Sequence, residues 1–118
     1  DEAEALMTTF KWDAAPADDA PPEELYIRAK LLALNTQYRE AMELAAKVVA
    51  FHSQDPDWMQ ASELLCAEIY TELGMYESAS EVCRQISLLY ENTPEQKKAA
   101  KLQTRIDRLS AEKDLQEI

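Results

Sequence analysis

Residues 38–41 read YREA, and residues 76–79 read YESA. The two tetrapeptides stand 38 positions apart, and the whole neighbourhood keeps that spacing. Ala29 meets Ala67, Ile27 meets Leu65, and Leu31 meets Ile69. Further along, Ala41 meets Ala79, Leu44 meets Val82, Val48 meets Ile86, and Pro56 meets Pro94. Small or apolar residues meet their like over nearly a full period. An internal repeat of this length decides the architecture before any single motif does.

Each unit holds two stretches of helical period. Leu25, Ala29, Leu32 and Ala33 follow i, i+4, i+7, i+8 spacing, and the polar break Asn35-Thr36-Gln37 ends them. Ala41, Leu44, Ala45, Val48 and Val49 then resume the period. The second unit repeats the design with Leu65, Cys66, Ile69, Tyr70 and Leu73, then with Ala79, Val82, Cys83, Ile86 and Leu89. Gly74 stands where a left-handed residue closes a helix. Asp55-Pro56 and Thr93-Pro94-Glu95-Gln96 read as helix starts, with Gln96 in capping-box position. A single glycine among 118 residues points away from a turn-rich sheet protein, and Ala, Leu, Glu, Lys and Gln favour helix.

The pattern of a small residue, two positions and an aromatic, then Tyr-x2-Ala, then a proline resembles the tetratricopeptide repeat (TPR). The second unit offers Cys66-Ala67-x2-Tyr70, Ala79-x3-Cys83 and Pro94. The first offers Arg28-Ala29-x2-Leu32, Ala41-x3-Ala45 and Pro56. Leu25 and Glu63 stand where the family carries tryptophan, Arg28 replaces a leucine, and the period is 38 rather than 34. A longer second helix or a longer connector such as Phe51–Gln54 is expected to absorb the difference. Longer periods of this kind are similar to TPR-like proteins of bacterial envelopes; envelope and cytoplasm both stay open. The expected fold is all-α: about two TPR-like repeats over 22–94, then a capping helix over 95–118. Residues 1–11 echo the second helix of a unit (Ala3 with Ala41, Leu6 with Leu44). Residues 1–21 read either as that partial helix or as an acidic segment with a proline-rich linker. The start at Asp1 rather than Met reads as that of a fragment or a processed product.

The net charge is −11. Residues 1–24 hold eight acids and one base, residues 25–92 ten acids and five bases, and residues 93–118 five acids and six bases. This balance argues against nucleic acid and acidic membrane surfaces as partners. No run of 18 apolar residues is present, so direct insertion into a membrane is not expected. The expected cap helix carries Ala99, Leu102, Ile106 and Leu109 on one face and Lys97, Lys98, Lys101, Arg105 and Arg108 on the other. Those cations read as the solvated face of a terminal repeat.

No catalytic constellation emerges. His52 is the only histidine, in the connector FHSQDPD, and Asp55 and Asp57 beside it serve a helix start better than a metal. Cys66 and Cys83 occupy apolar positions and read as buried free thiols, with a disulfide between them left open; they are not in C-x-x-C spacing. One glycine cannot build a phosphate loop. No enzyme activity, cofactor or metal is expected.

The TPR resemblance implies that the first helix of each pair lines a concave face. That places Tyr26, Lys30, Ala33 and Leu34 on it from the first unit, with Ala61, Leu64, Glu68, Thr71 and Glu72 from the second. The expected role is a protein-interaction or scaffold module that takes a segment with apolar anchors and basic residues. Glu68 and Glu72 argue against the family's carboxylate-gripping subtype. Two other roles stay open: an accessory domain of a larger enzyme, and self-association through the ends of the array.

Overall fold

A computed structural model describes residues 20–116. The expectations for residues 1–19 lie outside this range. Five helices follow in order: α1 (Pro22–Leu34), α2 (Tyr38–Phe51), α3 (Pro56–Glu72), α4 (Tyr76–Leu89) and α5 (Pro94–Gln116). No strand occurs among the described residues. The expected all-α fold of helix hairpins with adjacent packing is therefore present, and the fifth helix starts at Pro94 as its sequence predicts.

The turns repeat as faithfully as the side chains. In the first hairpin the Thr36 N–H donates to the Ala33 carbonyl at 3.0 Å, and the Gln37 N–H to the Leu32 carbonyl at 2.8 Å. In the second, Gly74 donates to Thr71 at 3.1 Å and Met75 to Tyr70 at 2.9 Å. Both are Schellman closures, which satisfy the last carbonyls of a helix through one left-handed residue. That residue is Gly74 (φ 76°) in one hairpin and Thr36 (φ 61°) in the other. The residues that open the following helices, Gln37 and Met75, share a backbone of φ −88°, ψ 68° and φ −89°, ψ 68°. Threonine is a poor occupant of left-handed space because its Cβ crowds the following carbonyl. The turn persists there because the helices on both sides are anchored.

The four residues beyond a 34-residue period are not in the second helices, which are equal at 14 residues each. Instead α3 has 17 residues where α1 has 13. The proline starts of α1 and α3 lie 34 apart, while their ends obey the 38-residue offset. The extra turn thus sits at the beginning of a first helix.

By compactness the described residues divide into two units that part after Ser62, within α3. In the first unit α1 packs on α2. Leu25, Ala29 and Leu31 are buried from α1, and Ala41, Leu44, Ala45 and Val48 from α2. In the second unit one core draws on three helices: Leu64 and Ala67 from α3, Ala79, Cys83 and Ile86 from α4, and Ala99, Leu102 and Ile106 from α5. Tyr70, Tyr76, Val82 and Tyr90 pack at its edge. The repeat pairs Ala29/Ala67, Ala41/Ala79 and Val48/Ile86 are all fully buried. Of the three residues expected to cover this unit from α5, Leu102 and Ile106 are interior and Leu109 is half-buried.

The start of α5 is fastened by side chains. The Thr93 hydroxyl accepts from the Gln96 N–H at 3.1 Å and donates to the Tyr90 carbonyl at 2.7 Å. Gln96 accepts from the Asn92 N–H at 2.9 Å, one residue before the usual capping-box donor, and its amide donates to the Ser87 carbonyl at 2.8 Å. This cap therefore also ties α5 to the end of α4.

Two substitutions test the turns against each other. Gly74→Ala meets no atom within 4 Å of its new Cβ, so its cost is conformational alone, about 1 kcal/mol. Thr36→Gly removes the same strain and should stabilise by up to about 1 kcal/mol. Thermal melts should shift in opposite directions; a shift in the same direction would refute the shared turn geometry. Ile106→Ala should cost about 3 kcal/mol by opening a cavity in the three-helix core. A melt unchanged by that substitution would show that α5 is not part of the core.

Candidate functional site

The first helix of each hairpin carries its expected surface residues at i, i+4, i+8 spacing, one above another on a single face. On α1 these are Tyr26, Lys30 and Leu34. Tyr26 is half-buried, its ring 5.6 Å from that of Trp58 and tilted by 46°. That geometry is a favourable aromatic pair, and it holds the tyrosine in place. Lys30 and Ala33 are half-buried, whereas Leu34, the last residue of the helix, is 65% exposed. Leu34 is thus a large apolar side chain offered to solvent beside the polar turn 35–37.

Arg28 interrupts the apolar run of α1. This residue stands where the TPR pattern has leucine, and it is buried. Its guanidinium meets the Glu24 carboxylate one turn earlier, with Nε at 3.3 Å and the terminal nitrogen at 3.2 Å. The long aliphatic stem substitutes for the leucine, and the carboxylate offsets the cost of removing the charge from water.

On α3 the matching line is Leu64, Glu68 and Glu72. Leu64 is an interior residue of the second unit's core, so it presents no side chain to a partner. Thr71 is also buried, and its hydroxyl donates to the Ala67 carbonyl of its own helix at 2.8 Å. A hydroxyl satisfied within the helix can sit in the interior at little cost. Both residues are therefore interior, whereas the TPR resemblance implied that they line a concave face. Ala61 and Glu68 are half-buried, and Glu72 is exposed. Glu72 accepts from Arg105 of α5 at 2.8 Å, so the acid that the sequence assigned to a groove is already engaged by a cation.

Residues 63–90 also hold a group that pattern reading passed over. Glu63 occupies a position where an apolar residue was expected, and burial raises its carboxyl above the ordinary range. The Tyr90 hydroxyl donates to Glu63 and opposes that rise. Burial first, and then the same contact, push the Tyr90 phenol up to about 12. Cys66 is pushed up to about 11 by burial and then by the Glu63 charge. Cys83 is also raised to about 11, by burial and then by Glu68. Both cysteines are free thiols. The sequence signal for this cluster was the acid itself, one turn before a cysteine on an otherwise apolar stripe.

His52 ends α2 at the place that Tyr90 holds after α4. Its Nδ1 lies 3.9 Å from the Asp55 carboxylate, and its Nε2 is buried without a hydrogen-bond partner among the described residues. Position 25 of the first unit is Leu25, whereas the second unit has Glu63 there, so the repeat supplies no carboxylate of that kind for His52. Among the described residues no group of three or more His, Cys, Asp or Glu could hold a metal ion. No described helix is long and apolar enough to cross a membrane.

Comparison of the chain with protein-family models, with curated proteins and with solved structures finds no match.

The raised thiols make a chemical prediction. A thiol near 11 holds about a hundredfold less thiolate at pH 8 than one at 9, so iodoacetamide should label Cys66 and Cys83 far more slowly in the folded chain than in guanidinium. The unfolded chain loses these protons first, so stability should hold below about pH 9 and fall as pH rises toward 11. Equal labelling in both states would refute the burial of the thiols.

Proposed function

We propose that this chain is a non-catalytic protein-interaction module built from TPR-like helical hairpins. The observation that carries the reading is the doubled hairpin itself: the same turn, helix entry and buried alanines recur at 38 residues. Repeating a hairpin multiplies one type of surface, and such surfaces serve recognition of chain segments rather than bond chemistry. The first helices are the proposed working elements.

The surfaces have distinct chemistry. On α1, Leu34 is exposed and Tyr26 is braced by Trp58, which gives apolar anchorage that loses little side-chain freedom on binding. On α3, Glu68 and Glu72 supply negative charge. Apolar anchors of a partner segment fit the α1 face, and a basic residue fits the α3 face. Glu72 makes its Arg105 pair at the half-exposed surface, where such pairs are weak enough to exchange with a partner's cation.

The test is capture of a partner segment followed by titration against variants whose helicity is checked by circular dichroism. Tyr26→Ala and Leu34→Ala should each weaken binding by about 1–3 kcal/mol if they are anchors. Glu68→Lys should slow association and reduce its salt dependence. Glu43→Gln, on the exposed side of α2, should change little. Parent-like binding by both Tyr26→Ala and Leu34→Ala would end the proposal for α1.

A further inference from the structure

On α5 the residues Lys97, Lys101, Arg105 and Arg108 follow one another about a turn apart, with Lys98 beside them, and all five are exposed. At 1.5 Å per residue the row from 97 to 108 is about 16 Å long. Its register is fixed because the opposite face of the helix, Ala99, Leu102 and Ile106, is locked into the core. Arg105 already grips a carboxylate from another helix, that of Glu72 at 2.8 Å. Lys97, Lys98, Lys101 and Arg108 make no ion pair among the described residues.

We propose that this row is a docking surface for a short acidic segment of a partner protein, with carboxylates spaced about one helical turn apart. The Arg105–Glu72 pair shows the recognition chemistry within the molecule: a carboxylate presented by one helix meets a cation in the row. Repetition of the cation at each turn extends that contact to a series. Charge selects the class of occupant. Residues 1–92 hold 18 acids against 6 bases, whereas residues 93–118 are near balance with 6 bases against 5 acids. A polyanion longer than the row, such as nucleic acid or an anionic bilayer, meets the acidic surplus of the rest of the chain. A second copy brings a net charge of −11 against −11. A short acidic segment gains the row and avoids both penalties. This row takes the opposite charge to the proposed α3 face and meets it at the Arg105–Glu72 pair; its variants are at Lys97 and Lys101, so either proposal can fail alone.

The probe is a fluorescently labelled helical peptide of about 14 residues on an alanine frame, with glutamates at i, i+4, i+8 and i+11. Anisotropy titration against the full chain at low salt should give saturable binding. Raising the salt from about 30 mM to about 300 mM should weaken it at least tenfold. Lys97→Glu/Lys101→Glu should also weaken it at least tenfold. Lys97→Gln/Lys101→Gln should have a smaller effect in the same direction, which guards against misfolding of the reversal variant. Arg39→Glu, a charge reversal at an exposed position of α2, is the control and should bind like the parent. No binding of the peptide, or equal loss with Arg39→Glu, would overturn the proposal. So would tighter binding of an oligonucleotide or anionic vesicles than of the peptide. Concentration-dependent self-association abolished by Lys97→Glu/Lys101→Glu would assign the row to a second copy and overturn it as well.

Discussion

The distance at which two helices can approach governs everything else in this chain. Ala29 and Ala41 are fully buried in the first hairpin, and Ala67 and Ala79 hold the matching places in the second. A methyl side chain lets backbones come close enough for the flanking larger residues to interlock. A leucine at any of these places would force the pair apart and unseat Val48 or Ile86, both fully buried. Close approach also shortens the connection that can join the helices. The residues 35–37 and 73–75 then have to reverse the chain through one left-handed position, and the two turns do so with the same hydrogen bonds.

That constraint orders the polar chemistry too. Every helix begins with acid in its first turn: Glu23 and Glu24, Glu40, Asp57, Glu77 and Glu95. Carboxylates there interact favourably with the positive end of the helix dipole. Only α5 has a base in its last turn, Lys113. Part of the net negative charge thus serves the helices themselves. The cations of α5 have no such duty, since most lie along the body of the helix, away from either end. Lys113 is the exception and also lies over the Tyr76 ring at 5.9 Å.

The sequence was informative where geometry leaves little choice. The alanines, the prolines at helix starts and Gly74 each have one economical use, so the five helices and most of the interior were legible. Thr36 was read only as part of a polar break; its left-handed backbone becomes evident on seeing that it occupies Gly74's place in the repeat. Legibility declined on the faces of the first helices. Leu64, Glu68, Thr71 and Glu72 were taken as one surface because the TPR resemblance implies it. Yet α3 turns Leu64 and Thr71 into the interior. A helix packed on more than one side has no single buried stripe, and periodicity alone cannot say where its surface begins. The burial of Arg28 was not legible either: a charged head with a long stem can fill a leucine's space when Glu24 is one turn away.

The pair Glu63 and Tyr90 shows how an imperfect repeat departs from itself. In the first unit the corresponding residues are Leu25 and His52. Leu25 is buried and needs no partner, and His52 is left with a buried Nε2 that finds none among the described residues. In the second unit both places are polar and satisfy one another. The backbone differs as well: α3 carries an extra turn before Glu63, and Asn92 after Tyr90 is left-handed (φ 61°). Exchanging one member without the other leaves a half-buried polar group without that partner. The alanines, which pair by shape alone, are free of that coupling and are the part of the repeat that both units keep.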